Sequence, residues 1–381
     1  MPAPVTPASA ASLASPHGAP LDLCLLRTSA LGDVTHVLPL LRNLQQALPQ
    51  ARFCWVIGAF ERKLVGDITG VEFVSFDKKR GLDGWRDVRR QLAGRRFDAL
   101  LHMQVALRSN LLSLAINARR RIGYDAARSR DLHGLFVGER ILARRGEHAL
   151  DAIASFSEPL GIARGAARWD IPIPAEATAW AAAQWPDDGQ PVLLINACSS
   201  HRLRNWHAAG YAAVADHAAA RGWRVVLSGG PSAIERAMGD DILTRAHSQP
   251  LDLIGKDTLK RALALYQRSQ LVLTPDSGPM HMANAVGAPV LGLHAASNPA
   301  RSGPYSDRRW CVDKYDAAAR RFRGKPASAL AWGAKIEQPG VMDLIGIDDV
   351  LERFNAFVSA DNPGRTFPPP DANPAADSLP A

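Results

Sequence analysis

Short apolar runs alternate along this chain with longer segments in which apolar residues recur at helical spacing. The first series predicts strands at residues 21–27, 52–57, 71–75 and 99–103, with helices at 34–47, 84–92 and 147–160. Strands that alternate with helices are typical of parallel βαβ units. The pattern therefore indicates an α/β fold built on parallel strands.

A second series of the same kind follows a proline-rich stretch. Prolines at 172, 174, 186 and 191 separate the two series, and we assign residues 176–191 to a linker. The second series predicts strands at residues 192–196, 224–227, 271–274 and 289–293, with helices at 208–221, 232–245, 259–268, 280–286 and 347–358. At roughly 150 residues per domain, two domains are expected. We place them at residues 21–175 and 192–345.

Both ends of the chain differ from this pattern in composition. Residues 1–20 are rich in Ala, Pro and Ser and lack the basic start of a signal peptide, so we expect a disordered leader. Residues 362–381 are rich in Pro, Ala and Asp, and we expect a disordered tail. No apolar run approaches the roughly 20 residues that span a bilayer, and the four cysteines lack zinc or redox spacing. We expect a cytoplasmic protein.

Positive charge is concentrated in one segment of the first domain. The chain has a net charge of +8, yet residues 78–145 contain 17 Lys and Arg against six Asp and Glu. Such a segment favours an anionic partner, such as nucleic acid, a membrane surface or a phosphorylated substrate, or it is only a solvated face. No aromatic residues interleave with these arginines as a base-stacking platform requires, so nucleic acid is not expected.

The first block with chemical potential follows the first strand and opens the first long helix. Its sequence is Ser29-Ala30-Leu31-Gly32-Asp33. A strand-to-helix turn presents free backbone N–H groups and the positive end of a helix dipole. Asp33 either completes that dipole or acts as a general base, and Gly32 would let a ligand approach closely. Ser29 could contact a ligand or cap the helix.

The second block lies at an equivalent turn of the second domain, at Asp276-Ser277-Gly278-Pro279-Met280-His281. The N–H groups of Ser277 and Gly278 could hold a diphosphate, and Asp276 could accept hydrogen bonds from sugar hydroxyls. His281, one turn into the helix, could donate to phosphate. The alternative is a capped helix with a structural histidine.

A third block, Ser199-Ser200 with Arg204, follows the first strand of the second domain. Hydroxyls and a cation at the carboxyl end of a parallel strand suit an anionic ligand. Arg204 could neutralise a leaving diphosphate without a metal, although a loop arginine can also be merely solvated. The chain lacks GxGxxG, GxxxxGK[ST], HExxH and a DxD pair. This absence argues against a nicotinamide-dependent oxidoreductase, a P-loop protein and a metal-dependent transferase.

In order and spacing, these blocks resemble glycosyltransferase family 9, the ADP-heptose:lipopolysaccharide heptosyltransferases of types I and II. The resemblance covers roughly residues 20–358. It rests on residues 27–39, on Ser199-Ser200 with residues 204–206, on residues 276–281 with Ala283, and on Asn298-Pro299 with residues 303–305.

The resemblance implies a GT-B fold, in which two Rossmann-like domains with parallel sheets face an interdomain cleft. It implies an inverting, metal-independent transfer of heptose from ADP-heptose to the lipopolysaccharide inner core, of the Kdo-lipid A type, without a cofactor. Asp33 takes the position of the catalytic base. The donor positions are Ser199, Ser200, Arg204, Glu235, Asp276, Ser277, Gly278 and His281. The acceptor positions are Ser29, Gly32, Arg108 and Arg130.

The resemblance also implies an anionic glycolipid acceptor at the cytoplasmic face of the inner membrane, and hence a cytoplasmic or peripheral enzyme. Residues 346–361 match the helix that crosses back to the first domain in this fold. Two features depart from the family pattern. Glu235 is the only acid near the expected ribose position, and residues 314–340 exceed a minimal member. A different nucleotide sugar, or a protein hydroxyl as acceptor, therefore remains an alternative.

Overall fold

The structure, a computed structural model, describes residues 20–360. Its first half alternates strands and helices in chain order. The elements are β1 (Asp22–Leu26), α1 (Leu31–Ala47), β2 (Arg52–Gly58), α2 (Arg62–Val65), β3 (Val71–Phe76), α3 (Gly81–Gln91), β4 (Phe97–His102), α4 (Leu107–Ser113), β5 (Ala118–Gly123), β6 (Glu139–Arg140) and α5 (Ala149–Ala154).

The second half repeats the same alternation. Its elements are α6 (Ala175–Ala182), β7 (Val192–Ile195), α7 (Ala208–Ala219), β8 (Arg224–Leu227), α8 (Ala233–Arg245), β9 (Leu251–Asp252), α9 (Leu259–Gln267), β10 (Leu271–Pro275), α10 (Gly278–Ala285), β11 (Val290–His294), α11 (Pro299–Ser302), β12 (Val312–Asp313), α12 (Tyr315–Arg323) and α13 (Ile347–Ser359). Turns of 3-10 helix lie at Lys78–Arg80, His133–Leu135, Ser155–Leu160, Arg202–Arg204, Arg308–Trp310, Ala327–Ala329 and Met342–Leu344.

Each half forms one parallel six-stranded sheet, and both sheets have the same strand order. The first runs β3-β2-β1-β4-β5-β6 and the second runs β12-β11-β10-β7-β8-β9. Within each half this is the doubly wound order 3-2-1-4-5-6. In the first sheet Cys24 of β1 lies in register with Cys54 of β2 and Leu100 of β4. The α/β, GT-B architecture expected from the sequence is confirmed.

Hydrophobic burial explains why the central strands form. Every residue of β1, β7, β10 and β11 is buried, as expected for strands covered by helices on both faces. One apolar cluster, containing Leu25, Val37 and Leu101, continues into Met280, Met282 and Val290 of the second half. The two halves therefore share a core where α1 packs on α10.

The stretch assigned to a linker contains a packed helix. α6 lies against α9 of the second half, and the Arg268 guanidinium donates to the carbonyl oxygens of Ala181 and Trp185. Lys260 of α9 donates to Asp67 and to the carbonyl of Pro172, which holds α9 against the first half. Much of residues 176–191 is thus part of the packed structure.

The last helix differs from expectation. α13 was expected to cross back to the first domain, but its buried face packs on α7 and β12 of the second. Val350, Phe354 and Phe357 join the second apolar cluster, where Phe354 meets Trp223 edge to face with ring centroids 5.2 Å apart. These aromatic contacts explain why the described part of this helix stays on the second domain.

The expected leader and tail, apart from Pro20, lie outside the described residues. From residue 20 to residue 360, no helix has the length and apolar character needed to cross a bilayer.

Candidate active site

The turn after β1 places Asp33 in the first turn of α1, where its side chain is 40% exposed. The Arg27 guanidinium at the end of β1 forms an ion pair with this carboxylate. Arg27 also donates to the carbonyl oxygens of Met103 and Ser29, the latter at 2.9 Å. The Ala30 N–H donates to Asp33 Oδ2 at 3.3 Å. The ion pair with Arg27 and the hydrogen bond from the Ala30 N–H therefore hold the Asp33 carboxylate in place.

These neighbours decide the ionisation of the Asp33 carboxyl. Partial burial alone would raise its pKa, but the Arg27 charge, the Ala30 N–H and the nearby His281 together hold the pKa below its usual value. Asp33 is consequently a carboxylate at neutral pH. Arg27 has no role among the residues predicted from sequence, although a lone arginine directly after a buried strand was a visible signal.

Of the predicted acceptor residues, Ser29 and Gly32 lie in this turn, whereas Arg108 and Arg130 lie near the start of α4. Ser29 Oγ accepts from Gln104 Nε2 at 3.2 Å, and Gln104 Oε1 accepts from the Thr28 N–H at 2.7 Å. Arg108 and Arg130 are exposed near the start of α4 and have no ion pair within residues 20–360. Asp131, the neighbour of Arg130, accepts the Leu107 N–H at 3.1 Å, which brings both arginines to the same end of α4.

The two predicted turns meet across the cleft. A Cβ added to Gly32 would lie closer than 3.0 Å to the His281 ring, so only glycine fits there. His281 Nδ1 lies 3.2 Å from His36 Nε2 of α1, and one of these nitrogens must donate to the other. Burial lowers the pKa of His281, against the opposing pull of Asp276 and Asp33. A neutral His281 thus stands between two carboxylates.

The turn after β10 has the features of a capped helix and of an anion site. Ser277 Oγ accepts the Met280 N–H at 3.4 Å and lies 3.0 Å from Thr274 Oγ1, so its hydroxyl serves as the N-cap of α10. The first N–H groups of a helix have no partner within that helix. The turn at Gly278 keeps this capacity for phosphate, as the sequence predicts.

Asp276 and Arg204 lie next to each other, as the donor-site prediction requires. Arg204 Nη1 is 3.9 Å from Asp276 Oδ2. Burial alone would raise the pKa of Asp276, but His294, His281 and Lys335 together with a Ser297 hydrogen bond hold it below its usual value. Asp276 is therefore an acceptor for hydroxyl donors.

Sequence reasoning missed Lys335 and Glu337, which lie in the segment 314–340 whose role was open. Glu337 Oε1 accepts from Arg204 Nε and Nη2 at 2.9 and 2.6 Å. The Ile336 N–H donates to the carbonyl of Ala296, so the segment runs beside the loop after β11. Trp332 Nε1 donates to the carbonyl of Glu147 in the first half. Lys335 and Glu337 are the charged residues of the stretch 326–342, and this was the available signal.

Two of the predicted donor residues, Glu235 and Ser199, already make hydrogen bonds with residues close to them in sequence. Glu235 Oε1 accepts the Gly230 N–H at 2.7 Å, and Oε2 accepts the Ser232 hydroxyl at 2.6 Å. Both oxygens are therefore engaged in the turn that precedes α8, and a contact of Glu235 with the donor stays a prediction. Ser199 Oγ accepts the His201 N–H at 3.0 Å, whereas Ser200 is exposed.

A second acid lies near Glu235 and was not predicted. The Ser228 hydroxyl, just after β8, donates to Asp257 Oδ2 at 3.2 Å. Burial raises the pKa of Asp257 to about 7, and the negative Glu235 adds to the rise, while the Ser228 hydrogen bond opposes it. Asp257 is thus a polar group that changes its charge near neutral pH at this edge of the second sheet.

No group of three or more His, Cys, Asp or Glu side chains is arranged to hold a metal ion in the part of the chain that the structure describes. Arg204 lies 3.9 Å from Asp276, and the positive charge of Lys335 also acts on this carboxylate.

Two doubly wound domains, with an ionised acid at a turn of one and a facing helix N-terminus on the other, have the architecture of a glycosyltransferase of the GT-B fold. A family model described as "Glycosyltransferase family 9 (heptosyltransferase)" matches residues 85–330. The chain belongs to glycosyltransferase family 9.

Known proteins of similar sequence and structure agree with this assignment. The lipopolysaccharide core heptosyltransferase OpsX of Haemophilus influenzae is 37% identical over 333 residues, which cover 87% of this chain and 96% of OpsX. A family 9 glycosyltransferase from Veillonella parvula has a TM-score of 0.74 and 22% identity, over 92% of this chain and 99% of that structure. Escherichia coli heptosyltransferase WaaC, solved with ADP, has a TM-score of 0.65 and 17% identity, over 88% and 100%. The structural likenesses extend the fold assignment to nearly the whole chain.

Proposed function

We propose that this enzyme transfers heptose from ADP-heptose to the inner core of lipopolysaccharide, with inversion at the anomeric carbon. The observation that carries the proposal is the meeting of Asp33 with the Asp276–His281 turn across the cleft. The similarity to a lipopolysaccharide core heptosyltransferase supports the sugar and the acceptor class.

In the proposed reaction, the acceptor hydroxyl lies beside Asp33. The carboxylate accepts the hydroxyl proton while the oxygen attacks the anomeric carbon of the heptose. The bond from that carbon to the β-phosphate oxygen of ADP breaks on the opposite face, so the configuration inverts. Asp33 suits this role because its ionised form is favoured by Arg27 before the acceptor arrives.

The leaving ADP carries the negative charge that the reaction develops. We assign its stabilisation to Arg204 and Lys335, together with the N-terminus of α10 at Gly278. These charges are provided by the protein itself, which supports a metal-independent transfer. Asp276 is assigned to the hydroxyls of the donor.

Arg108 and Arg130 are assigned to the anionic acceptor. Both are exposed and unpaired within residues 20–360. Guanidinium groups match carboxylates and phosphates through paired, planar hydrogen bonds. A Kdo-bearing lipid A would present such groups at the cytoplasmic face of the inner membrane, and we propose a cytoplasmic, peripheral enzyme there.

The test measures ADP release from ADP-heptose with Kdo-lipid A, for wild type and Asp33→Asn. We expect a loss of roughly 10²–10⁴-fold in kcat for the variant, with little change in the KM for the donor. Thermal stability with ADP, UDP, GDP and NAD checks the donor independently, for wild type and Asp276→Ala. A shift with UDP or GDP instead of ADP would overturn the donor, and transfer to a protein hydroxyl would overturn the acceptor.

A further inference from the structure

One face of the first domain exposes leucines in an unusual concentration. In the described residues eleven large hydrophobic side chains are exposed, and six of them are leucines of this domain that lie on or beside α3 and α4. We call Leu82, Leu107, Leu111, Leu114, Leu132 and Leu135 the leucine face. Scattered single leucines on a surface need no explanation, but a cluster marks an interaction site.

Helical spacing and hydrogen bonds bring these leucines to the same side. Leu107, Leu111 and Leu114 follow one another at i, i+4 and i+7 along α4 and just beyond it. Trp85 Nε1 of α3 donates to the Leu111 carbonyl at 3.2 Å. Leu82, 74% exposed, lies one turn before Trp85 on the same stripe of α3.

The loop of residues 131–135 adds the other two leucines. Asp131 accepts the Leu107 N–H through its carboxylate, and its carbonyl accepts from Asn110 Nδ2 at 2.7 Å. Leu135 is 78% exposed, and Leu132 has a φ of 61°, a left-handed backbone that leucine rarely adopts. Neither side chain packs in the hydrophobic core, so folding does not explain why these two positions are apolar. Contact with another molecule does.

The charges around the leucine face have one dominant sign. Lys78, Lys79 and Arg89 lie on or before α3, and Arg108 and Arg130 flank the start of α4. None of these five forms an ion pair within residues 20–360. The nearby acids Asp83 and Asp87 are paired with arginines. Arg89 lies over the Trp85 ring, 5.4 Å from its centroid, and keeps its positive charge. Exposed leucines within a rim of cations that no acid pairs with are complementary to an anionic bilayer surface.

We propose that the leucine face docks this enzyme on an anionic lipid bilayer, with the leucines at the boundary between headgroups and acyl chains. α3 and α4 begin at the carboxyl ends of β3 and β4, which is the edge of the sheet that carries Asp33. The docked face therefore reaches the rim of the cleft. This choice of partner rests on the proposed lipid-linked acceptor, but bilayer binding is measured without any sugar.

The test is co-sedimentation of the full chain with phosphatidylglycerol-containing vesicles and with pure phosphatidylcholine vesicles. Wild type should bind the anionic vesicles, less so as salt rises. Leu111→Ser with Leu135→Ser should weaken this binding at least about tenfold. The matched control, Ile234→Ser with Val358→Ser, removes two exposed apolar residues of the second domain and should bind as wild type does.

Three results would overturn the proposal. The first is that wild type does not bind anionic vesicles, and the second is that the leucine variant binds them as well as wild type does. The third is that wild type does not bind vesicles but forms a dimer that the leucine variant loses. The last would make the face an interface between two copies of this chain, which sedimentation velocity reveals.

Activity separates this proposal from the proposed function. The leucine variant should keep wild-type kcat/KM on a deacylated, water-soluble acceptor and lose activity only on acceptor embedded in vesicles. If wild type is inactive on both acceptors but binds vesicles, the proposed function fails and the docking surface stands.

Discussion

Gly32 and His281 lie in contact across the cleft, so closely that a Cβ on Gly32 would overlap the imidazole. The contact joins the first turn of α1, which holds Asp33, to the first helical turn after Asp276. The contact therefore limits where Asp33 of the first domain and Asp276 of the second can lie relative to each other.

Replacement of Gly32 by alanine should therefore separate the two turns. We expect Gly32→Ala to lower the free energy of unfolding by about 1–3 kcal/mol, as overpacking does, and to reduce kcat at least tenfold. Urea unfolding and ADP release measure the two effects. Gly138→Ala is the control, because a Cβ there meets nothing within 4 Å. An active, stable Gly32→Ala enzyme would contradict this contact.

Loss of the Arg27 charge should change the pH profile of the enzyme. The positive charge of Arg27 lowers the pKa of the Asp33 carboxyl by favouring its ionised form. Since the base must be deprotonated, Arg27→Gln should move the acidic limb of kcat/KM toward neutral pH. Arg96→Gln removes the same charge at the opposite end of the sheet and should leave the limb in place. An unmoved limb in Arg27→Gln would exclude Asp33 as the titrating base.

Glu337 should weaken the binding of ADP to the enzyme. It accepts two hydrogen bonds from Arg204, which would otherwise be free for phosphate. We expect Arg204→Met to weaken ADP binding about tenfold or more, since hydrogen bonds to charged groups contribute about 1.5–3 kcal/mol each. Glu337→Gln keeps an acceptor but removes the negative charge, and should tighten ADP binding a few-fold. Calorimetric titration measures both, and weaker binding by Glu337→Gln would assign it an orienting role instead.

Acid should lower the stability of the folded chain through His148, which bonds to the carbonyl of Gly303 in the second half. Its Nδ1 accepts the Leu150 N–H at 3.1 Å, so its Nε2 carries the proton donated to the Gly303 carbonyl at 3.0 Å. Burial lowers the pKa of His148 to about 3, aided by His281, Arg308 and Arg301, although the Gly303 hydrogen bond opposes the shift.

The sign of the stability change follows from these pKa values. Between an unfolded pKa of about 6.5 and the folded pKa of about 3, only the unfolded chain binds the proton, so stability falls as pH falls. From pH 7.5 to pH 5.0, wild type should lose about 1–2 kcal/mol more unfolding free energy than His148→Gln. Other buried histidines contribute to both proteins and cancel in the difference. Equal losses of unfolding free energy in wild type and His148→Gln would mean that the pKa of folded His148 is near its ordinary value.

Periodicity and turn chemistry predicted the central strands and both facing turns from sequence. β1, β7, β10 and β11 are fully buried, so their apolar runs are uninterrupted. β5 was missed because its sequence is ARRRIG. Its arginines are accommodated by tertiary partners, with Arg120 on Glu139 and Arg121 on three backbone carbonyls. Local pattern carries no information about such partners.

The parts of the site that sequence did not reveal depend on distant contacts. Lys335 and Glu337 reach the donor side because the Ile336 N–H pairs with the carbonyl of Ala296, 40 positions earlier in the chain. α13 was expected to cross back to the first domain but packs on α7 and β12 of the second, because amphipathicity identifies a buried face but not what covers it. The roles of Asp33, Arg204 and Asp276 in catalysis remain predictions that the variants above test.

The arginines fixed within the first domain change how strongly this enzyme should respond to salt. Arg120 and Arg128 are paired with acids of their own domain, whose negative charges offset theirs at close range. These paired arginines add little to the field that an arriving anion experiences, although the pI of the chain is near 9.6. Soluble acceptor affinity should depend on ionic strength chiefly through the cations of the first domain that form no ion pair within residues 20–360, Arg108 and Arg130 among them. The number of arginines in the sequence is therefore a poor guide to the salt response of this enzyme.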